Sequence, residues 1–144
     1  MKKIISIIII FLCANTIVQA QENTSYELEQ HIIYYNVFNS SLITPEVAKT
    51  YNLIRAKDQA YVNIALVKKS GGNGIPANIN GYHRNLMQQK FPLKFIEIKE
   101  ATATYYLAPL RFNNEDILHI DIEASNIEGT DSGKFTITKK LYKD

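Results

Sequence analysis

Short runs of alternating apolar and polar residues, each ended by a turn signal, constrain the fold of this chain more than any other feature. The clearest run is 116–124, in which Leu118, Ile120, Ile122 and Ala124 share one parity and mostly polar residues hold the other. A period of two places alternate side chains on opposite faces of a β-strand. Because no amphipathic run of helical length occurs, the pattern predicts an all-β fold.

Seven segments carry a strand pattern, with turn signals between them. The strands are expected within residues 26–38, 60–67, 75–82, 93–100, 102–112, 116–124 and 135–141. This arrangement predicts an immunoglobulin-like antiparallel β-sandwich of about seven strands, and a small β-barrel is the alternative fold. The parity changes within 93–100, which predicts a bulge near Phe95.

One short helical crossing is predicted between the first two strands. Thr44 can cap a helix, Pro45 suits the first helical position, and Asn52 can end the helix in a left-handed conformation. So short a helix is stable only when packed, so Leu42 is expected to face inward. Arg55 is expected to bind a carboxylate or backbone carbonyls. Five residues are therefore predicted to have structural roles: Leu42, Thr44, Pro45, Tyr51 and Arg55.

Residues 1–20 have the pattern of a signal peptide, with two lysines, a short apolar run and the small-residue site Val18–Ala20. Cleavage after Ala20 leaves 21–144 as a single exported domain, which we expect in the periplasm. A continuous membrane helix is the competing interpretation, although polar residues interrupt the run. Cys13 raises a lipoprotein as another alternative, but Leu12 is larger than the residue that lipid attachment favours.

The exported chain is predicted to be nearly neutral and free of cysteine. The full sequence has 16 basic and 14 acidic residues, and Lys2 and Lys3 lie in the part that is removed. Neutrality disfavours a nucleic-acid partner, which needs a basic face. Without Cys13 no disulfide can form. No apolar run of spanning length follows the signal peptide, so no membrane span is expected after its removal.

The segment Tyr82-His83-Arg84-Asn85 is the candidate binding site. It joins an aromatic ring, two polar side chains and a cation in a stretch predicted to leave a strand. Loops at the ends of sandwiches often bind partners, and Tyr and Arg are favoured interface residues. The alternative is a loop in which Tyr82 covers the core and Asn85 hydrogen-bonds its own backbone.

No metal, cofactor or catalytic site is predicted. The three histidines, His31, His83 and His119, lack ligand spacing and are expected on the surface, although neighbouring strands would permit a weak site at two of them. The glycine-rich segment 71–74 is expected to be a flexible hairpin tip, because no helix follows it. No nucleophile, base and orienting group can be assembled, so the chain is not expected to be an enzyme.

Several motifs resemble domain-of-unknown-function family 4426, a family of short exported proteins of Gram-negative bacteria. They are 35–40, 42–48 with Tyr51, Arg55, 60–63, Asn85-Leu86 with Gln89, and 105–108. Ala56 and the segment 100–103 depart from the family pattern. The resemblance implies a periplasmic sandwich, and it implies no reaction.

Three functions follow as hypotheses. The first is a non-catalytic binding or protein-interaction module for an unknown protein or small-molecule ligand. The second is an envelope assembly accessory that pairs through an edge strand, which a long uncovered edge near Pro76 or Pro109 would favour. The third is an enzyme, which a concave pocket with convergent polar groups would favour.

Overall fold

The computed structural model describes residues 24–144, so the predicted signal peptide, its cleavage site and Cys13 lie outside the described residues. Within this range nine strands, one 3-10 turn and one short helix are present. The elements are β1 Ser25–Glu27, β2 His31–Asn39, the 3-10 turn Ser40–Leu42, α1 Pro45–Thr50, β3 Gln59–Lys68, β4 Ala77–Arg84, β5 Lys90–Pro92, β6 Ile96–Glu100, β7 Ala103–Arg111, β8 Asp116–Asn126 and β9 Ser132–Leu141.

The strands form two antiparallel sheets, which confirms the predicted all-β sandwich. Sheet A has the order β1-β2-β3-β7-β6, and sheet B has the order β5-β4-β8-β9. The two sheets remain separate over the described range, so the alternative of a small closed barrel is wrong. Nine strands are present there instead of seven, because β1 was not separated from β2 in the sequence and β5 lies between two predicted strands, where no strand was expected.

The main core lies between the two sheets. Sheet A contributes Val62, Ile64 and Leu66, which alternate along β3 and are fully buried. Sheet B contributes the predicted row on β8, of which Leu118 and Ile120 are examples. Both rows follow the period of two in the sequence, and burying apolar side chains from both sheets stabilises the sandwich.

A second, smaller core covers the outer face of sheet A. The crossing segment between β2 and β3 supplies Ile43 and Ala48, and the sheet supplies Tyr61, Ile98 and Leu107. The predicted helix is present: the Thr44 hydroxyl accepts a hydrogen bond from the Val47 backbone N–H at 3.4 Å, and Pro45 occupies the first turn. Asn52 is left-handed with a φ of 53°.

The expectation that Leu42 packs inward is wrong. Its side chain is 75% exposed, whereas the neighbouring Ile43 is 8% exposed and belongs to the second core. The 3-10 turn before the helix rotates the chain by one position relative to the predicted pattern. The apolar anchor of the crossing is therefore Ile43.

Polar contacts hold the crossing segment at both ends. The buried Ser40 hydroxyl donates to the Ala56 carbonyl and accepts from the Ala56 N–H, both at 2.9 Å. The Tyr51 hydroxyl donates a hydrogen bond to Glu100 Oε1 on β6 at 2.6 Å. Arg55 Nη2 lies 3.5 Å from the Ser41 carbonyl, which is the backbone alternative of its predicted role.

Two predicted strands differ from the structure for physical reasons. Residues 26–38 form β1, a turn at 28–30, and β2, because Asp131 binds the backbone N–H groups of Glu29 and Gln30. Residues 93–100 contain no bulge within one strand; instead the chain leaves sheet B after β5 and enters sheet A at β6. The change of parity marks this change of sheet.

Candidate functional site

The predicted site Tyr82–Asn85 lies at the end of β4, and the strand separates its side chains. Tyr82 and Arg84 are on the outer face of sheet B, opposite Asp121 and His119 of β8. His83 has the other parity and is buried. Asn85 follows the last residue of the strand. The four residues therefore do not converge on one point.

Arg84 is fixed by an ion pair across the sheet. Its Nε lies 2.6 Å from Asp121 Oδ2, and its Nη2 lies 3.2 Å from Oδ1. Thr136 donates a further hydrogen bond to Asp121 Oδ1 at 2.5 Å. The hydrogen bond from Arg84 holds the pKa of Asp121 below its ordinary value, and the carboxylate raises the pKa of Arg84. Such a bidentate pair orders both side chains.

The expectation of a surface histidine is wrong for His83. Its ring stacks on Phe91 with centroids 5.0 Å apart, and its Nδ1 is buried without a hydrogen-bond partner among the described residues. Burial lowers the pKa of His83, although the nearby Asp116 opposes this effect. A buried imidazole with a lowered pKa favours the neutral form. His83 therefore supports the loop that follows it by packing.

Asn85 organises the connection between β4 and β5. Its Oδ1 accepts hydrogen bonds from the backbone N–H groups of Met87 and Gln89, both at 3.0 Å. Its amide nitrogen donates to Gln89 Oε1 at 2.7 Å. Arg84 Nη1 donates to Gln88 Oε1 at 2.7 Å, and Gln88 adopts a φ of 62°. Asn85 therefore has the alternative role, in which its side chain hydrogen-bonds to the backbone of its own loop.

This hydrogen-bonded loop places large apolar side chains in solvent. Leu86 is 64% exposed and Met87 is 78% exposed, and Phe91 beside them is partly exposed where it stacks on His83. We call Leu86, Met87 and Phe91 the apolar tip. These residues lie between the predicted strands 75–82 and 93–100, and their exposure depends on the geometry of the loop.

A second polar cluster, at the opposite end of the sandwich, was missed in the sequence. His31 is 6% exposed, and its Nδ1 donates to Asp131 Oδ2 at 2.6 Å. The same carboxylate accepts hydrogen bonds from the backbone N–H groups of Glu29 at 3.1 Å and Gln30 at 2.9 Å. The expectation of a surface histidine is therefore wrong for His31 as well. No sequence pattern connects residues one hundred positions apart.

The His31–Asp131 pair links two turns across the sheets. Burial by itself raises the pKa of Asp131, but the hydrogen bonds from His31, Gln30 and Glu29 outweigh it and the pKa lies below the ordinary value. A cleft of about 760 Å³ opens beside the pair and is lined partly by Lys68. No hydroxyl or thiol is hydrogen-bonded to His31 within residues 24–144.

Two other features of the sequence, a pair of histidines and the glycine-rich segment, were considered as possible metal and phosphate sites. His31 and His119 lie in different sheets, so the conceivable shared surface site is not formed; His119 Nδ1 contacts the Thr138 hydroxyl at 3.0 Å. Among the described residues, no group of three His, Cys, Asp or Glu side chains could hold a metal. The glycine segment 71–74 lies in a turn closed by an antiparallel bridge between Leu66 and Ile75, after which the chain passes from β3 in sheet A to β4 in sheet B.

No helix within residues 24–144 has both the length and the apolar character needed to cross a membrane. This finding concerns helices of the described range alone.

Comparison with known proteins identifies a family. A crystal structure of a DUF4426 family protein from Pseudomonas aeruginosa PAO1 matches this chain with a TM-score of 0.73 and 28% sequence identity, over 83% of this chain and 94% of the other. No curated protein matches the chain. The sequence profile of DUF4426, a domain of unknown function, matches residues 25–144, as the motifs in the crossing and strands had indicated. The chain is therefore a member of the DUF4426 family.

Proposed function

We propose that this protein is a non-catalytic interaction module of the periplasm that binds a protein partner through the apolar tip. The observation that supports the proposal is the Asn85-centred loop, which holds Leu86 and Met87 in water. Leaving two large apolar side chains exposed on an ordered loop forgoes about 1.5–3 kcal/mol for each, relative to burial. A partner surface that covers them recovers this free energy.

The surroundings of the apolar tip fit a protein interface. Arg84 and Gln88 form a polar rim at one side, joined by a hydrogen bond of 2.7 Å. Interfaces commonly have a small apolar centre with such a rim, and Met adapts its shape to a partner pocket. The loop is hydrogen-bonded before a partner arrives, so little ordering is needed on binding. We infer a partner with a small apolar pocket.

The experiment compares three versions of the chain 21–144 as bait for periplasmic extract. The tip variant is Leu86→Asp/Met87→Asp, and the control is Ile127→Asp, which alters an exposed apolar residue in the β8–β9 turn. We expect one protein that binds the unaltered chain and the control, with at least about a tenfold loss for the tip variant. Equal recovery with all three baits contradicts the proposal.

The predicted location has its own test. Intact mass of the protein from the periplasmic fraction should correspond to residues 21–144 without acyl chains, because Ala20 ends a small-residue cleavage site. A mass that includes Cys13 with acyl chains, or recovery of the chain only in the cytoplasm, contradicts a cleaved periplasmic product.

The assembly accessory is less well supported. β6 pairs with β7 only from Ala103 to Leu107, so the edge of β7 is uncovered over its last few residues. Pro109 lies in this uncovered part and has no N–H to donate to another strand. Near Pro76, β5 pairs only with the end of β4, so an edge is uncovered over 77–80, but this edge is short and the Ala77 N–H already donates to the Tyr106 hydroxyl at 2.8 Å. The long outer strand of sheet B in the described range is β9, and it carries three lysines, a composition that discourages strand pairing: Lys134, Lys139 and Lys140.

A further inference from the structure

The outer face of sheet B contains a trough that crosses the strands. Two rows of side chains, each running across β4, β8 and β9, form its walls. The backbone of the row between them, Gly81, Ile122 and Phe135, forms its floor. Its volume is about 460 Å³, within the range of small-molecule sites. The walls are Tyr82, Asp121 and Thr136 on one side and Asn80, Glu123 and Lys134 on the other.

Both carboxylates in the walls of the trough are paired with a basic side chain. Asp121 is paired with Arg84 at 2.6 Å, and Glu123 is paired with Lys134 at 3.4 Å. An anionic ligand would meet two carboxylates, and a cationic ligand would meet two basic groups. Like charges within an interface are unfavourable, so the trough favours a ligand without net charge.

Two groups in the walls remain available for hydrogen bonding. The Asn80 side-chain amide and the Tyr82 hydroxyl have no side-chain hydrogen-bond partner within the described range. Each can both donate and accept, which matches the hydroxyl groups of a sugar. The network of Asp121 with Arg84 and Thr136 is already fixed by hydrogen bonds, so this wall needs little rearrangement on binding.

The Tyr82 ring supplies an apolar contact. It is half-buried, and the Lys90 ammonium lies over one face of the ring, 4.7 Å from its centroid, so a ligand contacts the other face. An aromatic ring pairs an apolar face with a polar hydroxyl, and a pyranose ring likewise combines a C–H face with polar edges. We propose that the trough binds a neutral oligosaccharide, with a sugar ring against Tyr82 and sugar hydroxyls hydrogen-bonded to the Asn80 amide and the Tyr82 hydroxyl. This site is separate from the apolar tip and does not depend on it.

The trough is open to solvent, so weak binding is expected, with a Kd on the order of 1 mM. The test is a titration of ¹⁵N-labelled chain 21–144 with cellotriose, maltotriose and tri-N-acetylchitotriose, each to about 20 mM, roughly twenty times that Kd. We expect saturable shifts from at least one of them, confined to residues 80–82, 121–123 and 134–136. No saturable shift with any of the three, or shifts centred elsewhere, overturns the proposal.

Variants separate the trough from general surface effects. Tyr82→Ala removes the ring, and Asn80→Ala removes an exposed amide without disturbing a buried contact. Both should weaken binding by at least about fivefold, the effect of losing one contact of roughly 1 kcal/mol. Asn36→Ala, an exposed asparagine of β2 in sheet A, is the matched control and should bind normally. Equal binding by Asn80→Ala and the unaltered chain contradicts the proposed contacts.

Discussion

The two ends of the sandwich use the same device for opposite purposes. At one end the Asp131 carboxylate accepts backbone N–H groups from Glu29 and Gln30, at 3.1 and 2.9 Å. At the other end the Asn85 amide oxygen accepts N–H groups from two residues of its own loop, both at 3.0 Å. Asp131 joins segments about one hundred positions apart and is buried with His31, whereas Asn85 acts within five residues at the surface.

The difference shows what each hydrogen-bonded turn contributes. We call the Asp131 end closed because the carboxylate and the imidazole are buried and bind each other and the two turns, although a cleft lies beside the pair. The Asn85 end is ordered but open, and its order leaves Leu86 and Met87 exposed. A buried charged contact affects mainly stability, while a local exposed contact can position side chains for recognition at small cost to the fold.

The largest expected effect is on stability at the closed end. Asp131→Ala removes the acceptor of three hydrogen bonds and leaves the buried His31 donor and two part-buried N–H groups without it, which should lower the free energy of unfolding by about 3 kcal/mol. Urea unfolding measures this change. The control is Glu29→Ala, an exposed side chain in the same turn, which should stay within about 0.5 kcal/mol. If Asp131→Ala were as stable as Glu29→Ala, the hydrogen bonds to Asp131 would not stabilise the fold.

The closed end should also depend on pH. The pKa of Asp131 is lowered in the folded state, so its carboxylate stabilises the fold above the unfolded value of about 3.9 and loses that effect as the pH falls through the folded value. The gap in free energy of unfolding between the unaltered chain and Asp131→Asn should therefore be full at about pH 7 and smaller at about pH 3.

Other carboxyls with lowered pKa values, such as Asp58 and Asp121, are present in both proteins and cancel in this difference. A gap that is the same at both pH values would show that Asp131 does not stabilise the fold through its charge.

The open end should respond more weakly. Asn85→Ala removes two hydrogen bonds to exposed backbone, so a loss of about 1 kcal/mol is expected. Asn85→Asp keeps the accepting oxygen and loses only the hydrogen bond that Asn85 donates to Gln89. Its free energy of unfolding should therefore lie between those of the unaltered chain and Asn85→Ala. Urea unfolding of both variants sharpens the comparison. A loss for Asn85→Ala as large as for Asp131→Ala would mean that the loop is part of the folding core.

The smallest effect on stability is expected for Leu86→Asp/Met87→Asp. Both side chains are largely exposed, so the free energy of unfolding should change by less than about 0.5 kcal/mol. Thermal or urea unfolding of the chain used for partner binding provides this value. A drop of several kcal/mol would show that the apolar tip packs against its own chain, and loss of partner binding by this variant would then reflect unfolding.

Local patterns predicted the parts of the fold that local physics decides. The rows on β3 and β8 follow a strict period of two, and Thr44 with Pro45 marks the helix start. Leu42 was misplaced, because a 3-10 turn precedes the helix and turns Ile43 toward the sheet. A shift of one residue is enough to exchange buried and exposed positions in so short a segment.

Long-range contacts were beyond the sequence pattern. His31 occupies a polar position of its strand, and only the distant Asp131 makes its burial favourable. Similarly, the parity change near Phe95 predicted a bulge, and the prediction is wrong because the chain changes from sheet B to sheet A there. The sequence predicted a site at Tyr82–Asn85, whose side chains the strand separates, and the exposed Leu86 and Met87 became visible only with the loop geometry.

Backbone ¹⁵N relaxation of the chain 21–144 tests most directly whether the Asn85 loop is an ordered element that presents the apolar tip. Hydrogen bonds to Met87 and Gln89 should keep the order parameters of residues 86–89 near those of the strands, at about 0.85. The same measurement on Asn85→Ala should show a clear decrease. Order parameters below about 0.6 in the unaltered loop would contradict the account, because a disordered loop would not hold Leu86 and Met87 ready for a partner.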